Sequence, residues 1–205
     1  MKKVIIWACM VVILVMVTST GFAEFDKGLF EADEAFETSY VDIPEHWMAG
    51  PKAPEQLAYA DGNDIIILMP GVVIKEEGDK VAMAEMRLGL LFLSAEPAVI
   101  NTLIFIVDDT IYSIGSLMPE ASTWLGMPVE NEVIALDEIG LAMINNMREA
   151  KAVTIQLKGD EKTIEYLLSQ DGVNWFVRTY DLFVEAGGLN FEFTDGENSF
   201  PITVQ

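Results

Sequence analysis

From residue 61 the pattern of apolar positions along the chain becomes that of strands. Short apolar runs cover residues 64–69 and 72–75, and the Pro70-Gly71 pair between them predicts a turn. Residues 80–93 are ambiguous, because their Ala, Met, Glu and Arg side chains favour a helix while the apolar run at their end favours a buried strand. We predict an extended strand there, with a helix as the alternative.

Two hairpins are predicted further along the chain. The first joins residues 99–107 to residues 110–116 through Asp108-Asp109. Aspartate tolerates the positive φ that a two-residue hairpin loop requires. The second joins residues 153–157 to residues 163–168 through a polar loop that contains glycine.

Two amphipathic helices are predicted in the second half of the chain, after a loop over residues 117–132 that contains two prolines and a glycine. The first helix covers residues 137–151, and its leading aspartate can cap the free backbone amides of the first turn. The second covers residues 172–186 and ends at Gly187-Gly188, a pair typical of a helix C-terminus. The apolar stripes consist of Ile139, Met143, Met147 and Ala150 in the first helix, and of Val173, Phe176, Val177, Tyr180 and Val184 in the second.

The start of the second helix has an alternative interpretation. Residues 169–175 resemble a Ser-x-Asp-Gly-x-x-Trp hairpin motif of secreted carbohydrate-binding domains and sialidase-type propeller blades. The resemblance implies a hairpin turn at Asp171-Gly172. The apolar periodicity that continues to Val184 favours the helix, and we infer no sugar-binding role from seven residues. Phe191 and Phe193 then indicate a closing strand.

These elements predict an α+β fold. Too few helices separate the strands for a parallel sheet built from β-α-β units. We therefore predict one antiparallel β-sheet covered on one face by the two amphipathic helices. Residues 61–205 are predicted to form this single α+β domain.

Residues 24–60 are predicted to form an acidic arm followed by a linker. If the arm is helical, one face carries Phe25, Leu29, Ala32, Phe36 and Tyr40. That face is expected either to dock on the domain or to become ordered on a partner. The prolines at positions 44, 51 and 54 interrupt any helix and indicate the linker.

Residues 1–23 have the layout of a secretory signal peptide. Lys2 and Lys3 precede an uncharged run over residues 4–17, and the small residues Gly21 and Ala23 fit a cleavage site. The run is short for a membrane span, which needs about 20 residues. We expect cleavage after Ala23 and an exported protein, periplasmic or secreted, with no transmembrane span after cleavage.

The charge of the chain is strongly negative and limits its partners. There are 12 Lys and Arg against 33 Asp and Glu, which gives a formal net charge of −21. Removal of residues 1–23 takes two lysines away, so the balance becomes 10 minus 33, or −23. Phosphate contacts need Lys and Arg, so nucleic acids and anionic lipids are not expected as partners. Cys9, the single cysteine, excludes a disulfide framework within the chain.

No catalytic motif stands out, so an enzyme is not favoured, although the question stays open. His46 is the single histidine, and the chain has no Gly-x-Ser-x-Gly, no His-Glu-x-x-His and no glycine-rich phosphate loop. A glycan hydrolase needs two carboxylates that face each other across a cleft. Sequence spacing does not reveal such a pair.

Calcium is the ion that best suits so many carboxylates, because it takes about six to eight oxygen ligands. Two acidic turns have suitable chemistry, and their candidate ligands are Asp61, Asp64, Asp195 and Glu197. Neither turn has the alternating acids and closing glutamate of an EF-hand loop. Turn formation by Asp, Asn and Gly explains both equally well.

Three functions follow from these observations. The first is an exported, bacterial-type acidic binding or accessory protein of the periplasm or cell exterior, which is non-enzymatic and binds a protein or glycan of the envelope. The alternatives are a carboxylate-dependent glycan hydrolase and a calcium-stabilised adhesion or matrix module. No cofactor other than calcium is indicated, and the sequence does not determine the oligomeric state.

Overall fold

The computed structural model describes residues 25–40, 45–52, 58–115, 117–190 and 202–204, and these form an antiparallel α+β structure. The helices are α1 (Gly28–Ala32), α2 (Glu138–Met147) and α3 (Gln170–Glu185). The strands are β1 (Phe36–Tyr40), β2 (His46–Pro51), β3 (Ala58–Asp61), β4 (Asp64–Glu77), β5 (Lys80–Leu93), β6 (Ile100–Val107), β7 (Thr110–Gly115), β8 (Glu120–Trp124), β9 (Met127–Ala135), β10 (Val153–Gly159), β11 (Thr163–Leu167) and β12 (Ile202–Val204). The predicted signal peptide, Phe191 and Phe193 lie outside these residues.

The first sheet is built around the long β4-β5 hairpin. Its strand order is β1-β2-β4-β5-β9-β8, and β3 also pairs with β4. Residues 80–93 form the strand β5, as predicted. On β5 the even-numbered residues from Met86 to Phe92 are buried, which is the alternation of a strand with one face in the core.

The predicted turn at Pro70-Gly71 is wrong, because β4 runs without a break from Asp64 to Glu77. One edge of β4 pairs with β5 throughout, and there Pro70 is opposite Leu88. The other edge pairs with β3 at residues 64–67 and with β2 at residues 72–75. Pro70 thus lies where that second edge has no strand partner among the described residues, and its nitrogen has no hydrogen to donate.

The second sheet contains both predicted hairpins, in the order β11-β10-β6-β7-β12. Thr110 follows a two-residue loop in which Asp108 has φ of 50°. The carboxylate of Asp108 also accepts the backbone N–H groups of Lys151 and Ala152, at 2.9 and 3.1 Å. The hairpin prediction is therefore confirmed, and the same aspartate ties the loop to the start of β10.

Both predicted helices are present, and each begins with a side-chain cap, although α2 ends at Met147 and not at the predicted residue 151. Asp137 accepts the Gly140 N–H at 2.8 Å, and Ser169 accepts the Gly172 N–H at 3.1 Å. Ser169 is thus the N-cap of α3, and the alternative hairpin turn at Asp171-Gly172 is wrong. Ile139 is 38% exposed, so its predicted place in the buried stripe of α2 is wrong. None of the helices in the described ranges is long and apolar enough to cross a bilayer.

The strands form two sheets instead of the single predicted sheet, and the covering of one face by two helices is not confirmed. Buried side chains of both sheets, α2 and α3 belong to one core. Tyr59 and Tyr166 stack across the two sheets with 4.4 Å between ring centroids, and Phe105 meets Phe176 of α3 edge-on at 6.0 Å. Apolar periodicity identifies a buried face, but it does not say which element lies against that face.

The acidic arm contributes to the same core. Phe25, Phe30 and Phe36 are buried in it, and β1 and β2 pair into the first sheet. The predicted long helical face is wrong, because α1 has only five residues and the chain becomes extended at Phe36. Asp33, between α1 and β1, pairs with Arg178 of α3 at 2.6 Å.

Candidate functional site

An apolar groove lies between the β8-β9 hairpin and the loops that precede β6 and follow β7. Its volume is about 510 Å³, within the range of roughly 300–1,000 Å³ that ligand sites occupy. We call it the β8 groove, and it is lined by residues 97, 99–101, 117–119, 121–123 and 128–130. These include three prolines and the apolar side chains of Val99, Leu117 and Met118. The arrangement suits an apolar group with few polar anchors.

Glu130 forms one wall of the groove and is buried at 6% exposure. Its carboxylate accepts the backbone N–H groups of Ala98, Val99 and Ile100, at 2.7, 2.9 and 2.6 Å. These three donors compensate the charge of a carboxylate that solvent does not reach. Glu130 thus fixes the chain entry to β6.

The segment that Glu130 holds is strained, because Val99 has φ of 53°. A β-branched residue rarely adopts this conformation. Gly159 supports it from the other side, since a Cβ there would lie 2.0 Å from the carbonyl oxygen of Ala98. Val99 is half-exposed and lines the groove. The buried carboxylate and the glycine therefore hold an apolar side chain at the mouth of the groove.

The tip of the β8-β9 hairpin exposes further apolar side chains. Leu125 and Gly126 form its loop with φ of 51° and 84°, the two positive values of a two-residue hairpin turn. Leucine is unfavourable in such a turn, yet Leu125 is 82% exposed and Trp124 is 57% exposed. Met118, at the groove itself, is 79% exposed. Local strain and exposed large apolar side chains together are typical of a binding surface.

The strand β8 is an edge of the first sheet. It pairs with β9 alone among the described strands, and all five of its residues are exposed. Ala121 and Thr123 of β8 line the groove, so only small side chains lie between the groove and the edge of the sheet. An edge strand presents backbone N–H and C=O groups that another extended chain can pair with.

The electrostatics at this edge are acidic. Burial raises the pKa of Glu132, and the negative charge of Glu120 raises it further, against a hydrogen bond from the Met118 N–H that lowers it. A raised carboxyl pKa means that the ionised form of Glu132 is poorly compensated where it lies. A positive charge placed nearby would therefore be favourable.

A second polar cluster joins the two sheets at Asp64, one of the predicted calcium ligands. Lys162, before β11, donates to both oxygens of Asp64 at 2.8 Å and to Ser94 Oγ at 3.0 Å. Ser94 Oγ donates to Asp64 at 2.6 Å. Burial opposes ionisation of Asp64, but the hydrogen bonds from Lys162 and Ser94 and the charge of Lys162 outweigh it and lower the pKa.

This cluster has the residue types of a serine–lysine nucleophile pair, but its geometry is that of a cross-link. Ser94 is only 2% exposed, so a substrate does not reach its hydroxyl. Lys162 also lies 5.0 Å from the ring centroid of Phe92, within cation–π distance. The contacts connect the β10-β11 loop to β4 and β5, which lie in the other sheet.

The other predicted site residues are distributed as follows. Asp61 is opposite Asp64 across the β3-β4 turn, whereas Asp195 and Glu197 lie outside the described residues, so the calcium hypothesis stays a prediction. His46 lies in β2, opposite Lys75. Within the ranges that the structure describes, no three His, Cys, Asp or Glu side chains are grouped to hold a metal ion.

The sequence did not reveal the β8 groove, because the predicted loop over residues 117–132 contains all of β8 and two-thirds of β9. Its prolines lie at the ends of the hairpin strands, where they interrupt few ladder bonds. The available signal was the Leu125-Gly126 pair between two extended segments. Glu130 carried no signal, since it is one of 33 acidic residues.

Comparison of the chain with protein-family models, with curated proteins and with solved structures finds no match. Functional inference therefore rests on the geometry of the groove and on its chemistry.

Proposed function

We propose that the protein is an exported, non-enzymatic binding or accessory module that holds an apolar part of its partner in the β8 groove. The observation that carries this proposal is the apolar β8 groove, which has a volume of about 510 Å³. Val99 and Met118, which line it, are half-exposed or more. A folded chain gains nothing in its own stability from leaving such side chains in water.

The chemistry of the groove supports binding better than hydrolysis. Glu130 is the one carboxylate among its described lining residues, and three backbone N–H groups already occupy its oxygens. A glycan hydrolase would need two facing acids, one of them free to transfer a proton. The groove supplies surface and shape for an apolar group instead.

Export is the other half of the proposal, and it is supported by the basic start, apolar run and small residues of positions 1–23. The mature chain is expected to begin at Glu24. Mass spectrometry of the protein recovered from outside the cytoplasm measures this directly. A mass that includes residues 1–23 would contradict cleavage.

A neutral solvatochromic dye tests binding in the groove. We expect Nile red to bind the purified protein saturably, and Met118→Glu to abolish this binding, because a charge at the mouth is poorly compatible with an apolar ligand. Leu167→Glu is the matched control, since Leu167 is 65% exposed on β11, away from the groove. Both positions are exposed, so both variants are expected to fold. Equal dye binding by wild type and Met118→Glu would contradict the proposal.

A further inference from the structure

This inference rests on the proposed function and concerns the partner. We propose that the β8 groove takes an extended, basic polypeptide segment in which apolar and cationic residues alternate. The segment pairs with the free edge of β8, its apolar side chains enter the groove, and its cationic side chains meet the acidic surroundings.

The backbone of β8 favours an extended partner. Within the described part of the chain β8 is the last strand on its side of the sheet. One row of its backbone N–H and C=O groups faces β9, and the alternate row faces away. Strand addition uses that second row, and it fixes the direction of each side chain on the added strand.

The side chains of β8 define what the added strand presents on each face. Ala121 is opposite Glu130 and Thr123 is opposite Pro128, and these four residues line the groove together with the pair between them, Ser122 and Val129. Side chains of an added strand alternate between the two faces of the sheet. Every second residue of the partner therefore lies over the groove, where the lining is apolar. The intervening residues lie on the face of Glu120 and Trp124.

The charge around the groove favours a cationic segment, and Glu120 places a carboxylate on the face of the intervening positions. All the lining segments belong to residues 88–147, a stretch of 60 residues with eight Asp and Glu and no Lys, Arg or His. Glu120 lies on β8 on the face of the intervening residues, Glu132 lies on β9 on the same face as Glu130, and Glu96 lies directly before the lining residue Pro97. Asn101, also in the lining, donates to Asp160 at 2.9 Å. A cationic segment compensates these carboxylates, whereas an acidic one adds repulsion.

The same charge disfavours a second copy of the chain as the occupant. Antiparallel pairing of two β8 edges would bring together two molecules that each carry a net charge of −21. It would also place residues 88–147 of both copies, which contain no Lys, Arg or His, side by side. We therefore commit to a basic partner and treat self-association as an outcome of the test.

Four synthetic peptides test the proposal against the exported protein in low salt. The first alternates valine and lysine over about ten residues, the length of a long strand, and the second replaces every lysine by glutamate. The third and fourth repeat the first sequence with backbone N-methylation, one at every valine and the other at every lysine. Strand addition uses the N–H groups of only one alternate set, so only one methylated peptide loses its pairing.

We expect the valine–lysine peptide to bind at least about tenfold more tightly than the valine–glutamate peptide, with an affinity that falls as salt rises. One methylated peptide is expected to bind like the parent and the other at least about tenfold more weakly. Glu120→Gln with Glu96→Gln is expected to weaken binding several-fold. Glu149→Gln, at an exposed position after α2, is the matched control and is expected to have no effect.

Each contrary result has a separate meaning. Equal loss with both methylated peptides, or no loss with either, would overturn strand addition. Equal binding of the lysine and glutamate peptides would overturn the charge selection. If Nile red binds in a Met118-dependent way but no peptide binds, this inference fails and the proposed function stands. If neither the dye nor any peptide binds, both this inference and the proposed function fail. If the protein forms a dimer that Met118→Glu dissociates, the occupant of the groove is a second copy of the chain and not a basic peptide.

Discussion

At the scale of single residues, Glu130 links the fold to the candidate site. Its carboxylate accepts three successive backbone N–H groups at the entry to β6. Because it holds Val99 in a strained conformation, the shape of the groove mouth depends on this one side chain. Sequence reasoning has no way to separate such a carboxylate from a solvated one, since the difference lies entirely in burial and in donors that come from a distant segment.

Glu130→Gln is expected to destabilise the protein. Glutamine keeps one acceptor oxygen but turns an NH₂ group towards a backbone N–H, so one buried donor loses its partner. The expected loss in the free energy of unfolding is about 2–3 kcal/mol, measured by urea denaturation. Glu149→Gln is the control and is expected to change stability by less than about 0.5 kcal/mol. A Glu130→Gln variant as stable as wild type would show that the three hydrogen bonds contribute nothing.

Asp64 gives the stability a defined pH dependence. Its pKa in the folded protein lies below the ordinary value of 3.8, so its contribution is full above that value and is lost as the pH falls through the folded pKa. We expect the difference in unfolding free energy between wild type and Asp64→Asn to be largest near neutral pH and to shrink below about pH 4. Asp109→Asn, in the exposed β6-β7 turn, is expected to show no such trend. A difference that stays constant down to pH 2.5 would contradict the role of the Lys162 contact.

At the scale of elements, the sequence predicted those helices and hairpins that local sequence determines. The caps Asp137 and Ser169 and the Asp108-Asp109 turn act within a few residues, and the helices and hairpins that depend on them are confirmed. The interruption at Pro70 was wrong, because its strand context comes from β2, β3 and β5. The β8-β9 hairpin was missed for a related reason. All five residues of β8 are exposed, so this strand shows no apolar alternation.

At the tip of that hairpin, Leu125 is expected to lower the stability of the protein and to raise its affinity for a partner. Leu125→Asn puts a residue that tolerates positive φ before Gly126, and we expect the free energy of unfolding to rise by about 0.5–1 kcal/mol. The same change removes an exposed apolar side chain, so affinity for the valine–lysine peptide is expected to fall. Thermal melts and peptide titrations on the same preparation measure both quantities. A variant that is less stable than wild type would show that the leucine is not strained.

At the scale of the whole molecule, one core is combined with a strongly acidic surface. The described buried side chains of both sheets, the two long helices and the N-terminal segment pack together. The net charge of −21 makes the compact state repel itself at low ionic strength. The same charge favours cationic partners over the whole surface. The β8 groove adds apolar surface at one place, which makes that place selective for a partner with apolar side chains.

Salt is therefore expected to stabilise the protein. Counter-ions screen exposed carboxylates beyond a Debye length of about 10 Å at 0.1 M salt, so self-repulsion weakens. We expect the melting temperature to rise between about 10 mM and 150 mM sodium chloride, and adsorption to cationic surfaces to weaken over the same range. A melting temperature that falls over this range would mean that attractive ion pairs, not repulsion, dominate the surface.

The location of apolar binding is the central claim, and methionine methyl groups report it directly. The chain after residue 23 has eight methionines. Met118 lines the groove, Met143 and Met147 are buried in α2, and Met48 and Met69 lie on the face of the first sheet that points away from the core. In spectra of protein labelled with ¹³C at the methionine methyls, we expect Nile red to shift the Met118 resonance saturably and to leave the other four unchanged. Movement of the Met48 and Met69 resonances with Met118 silent would contradict the account and place binding on the sheet face instead.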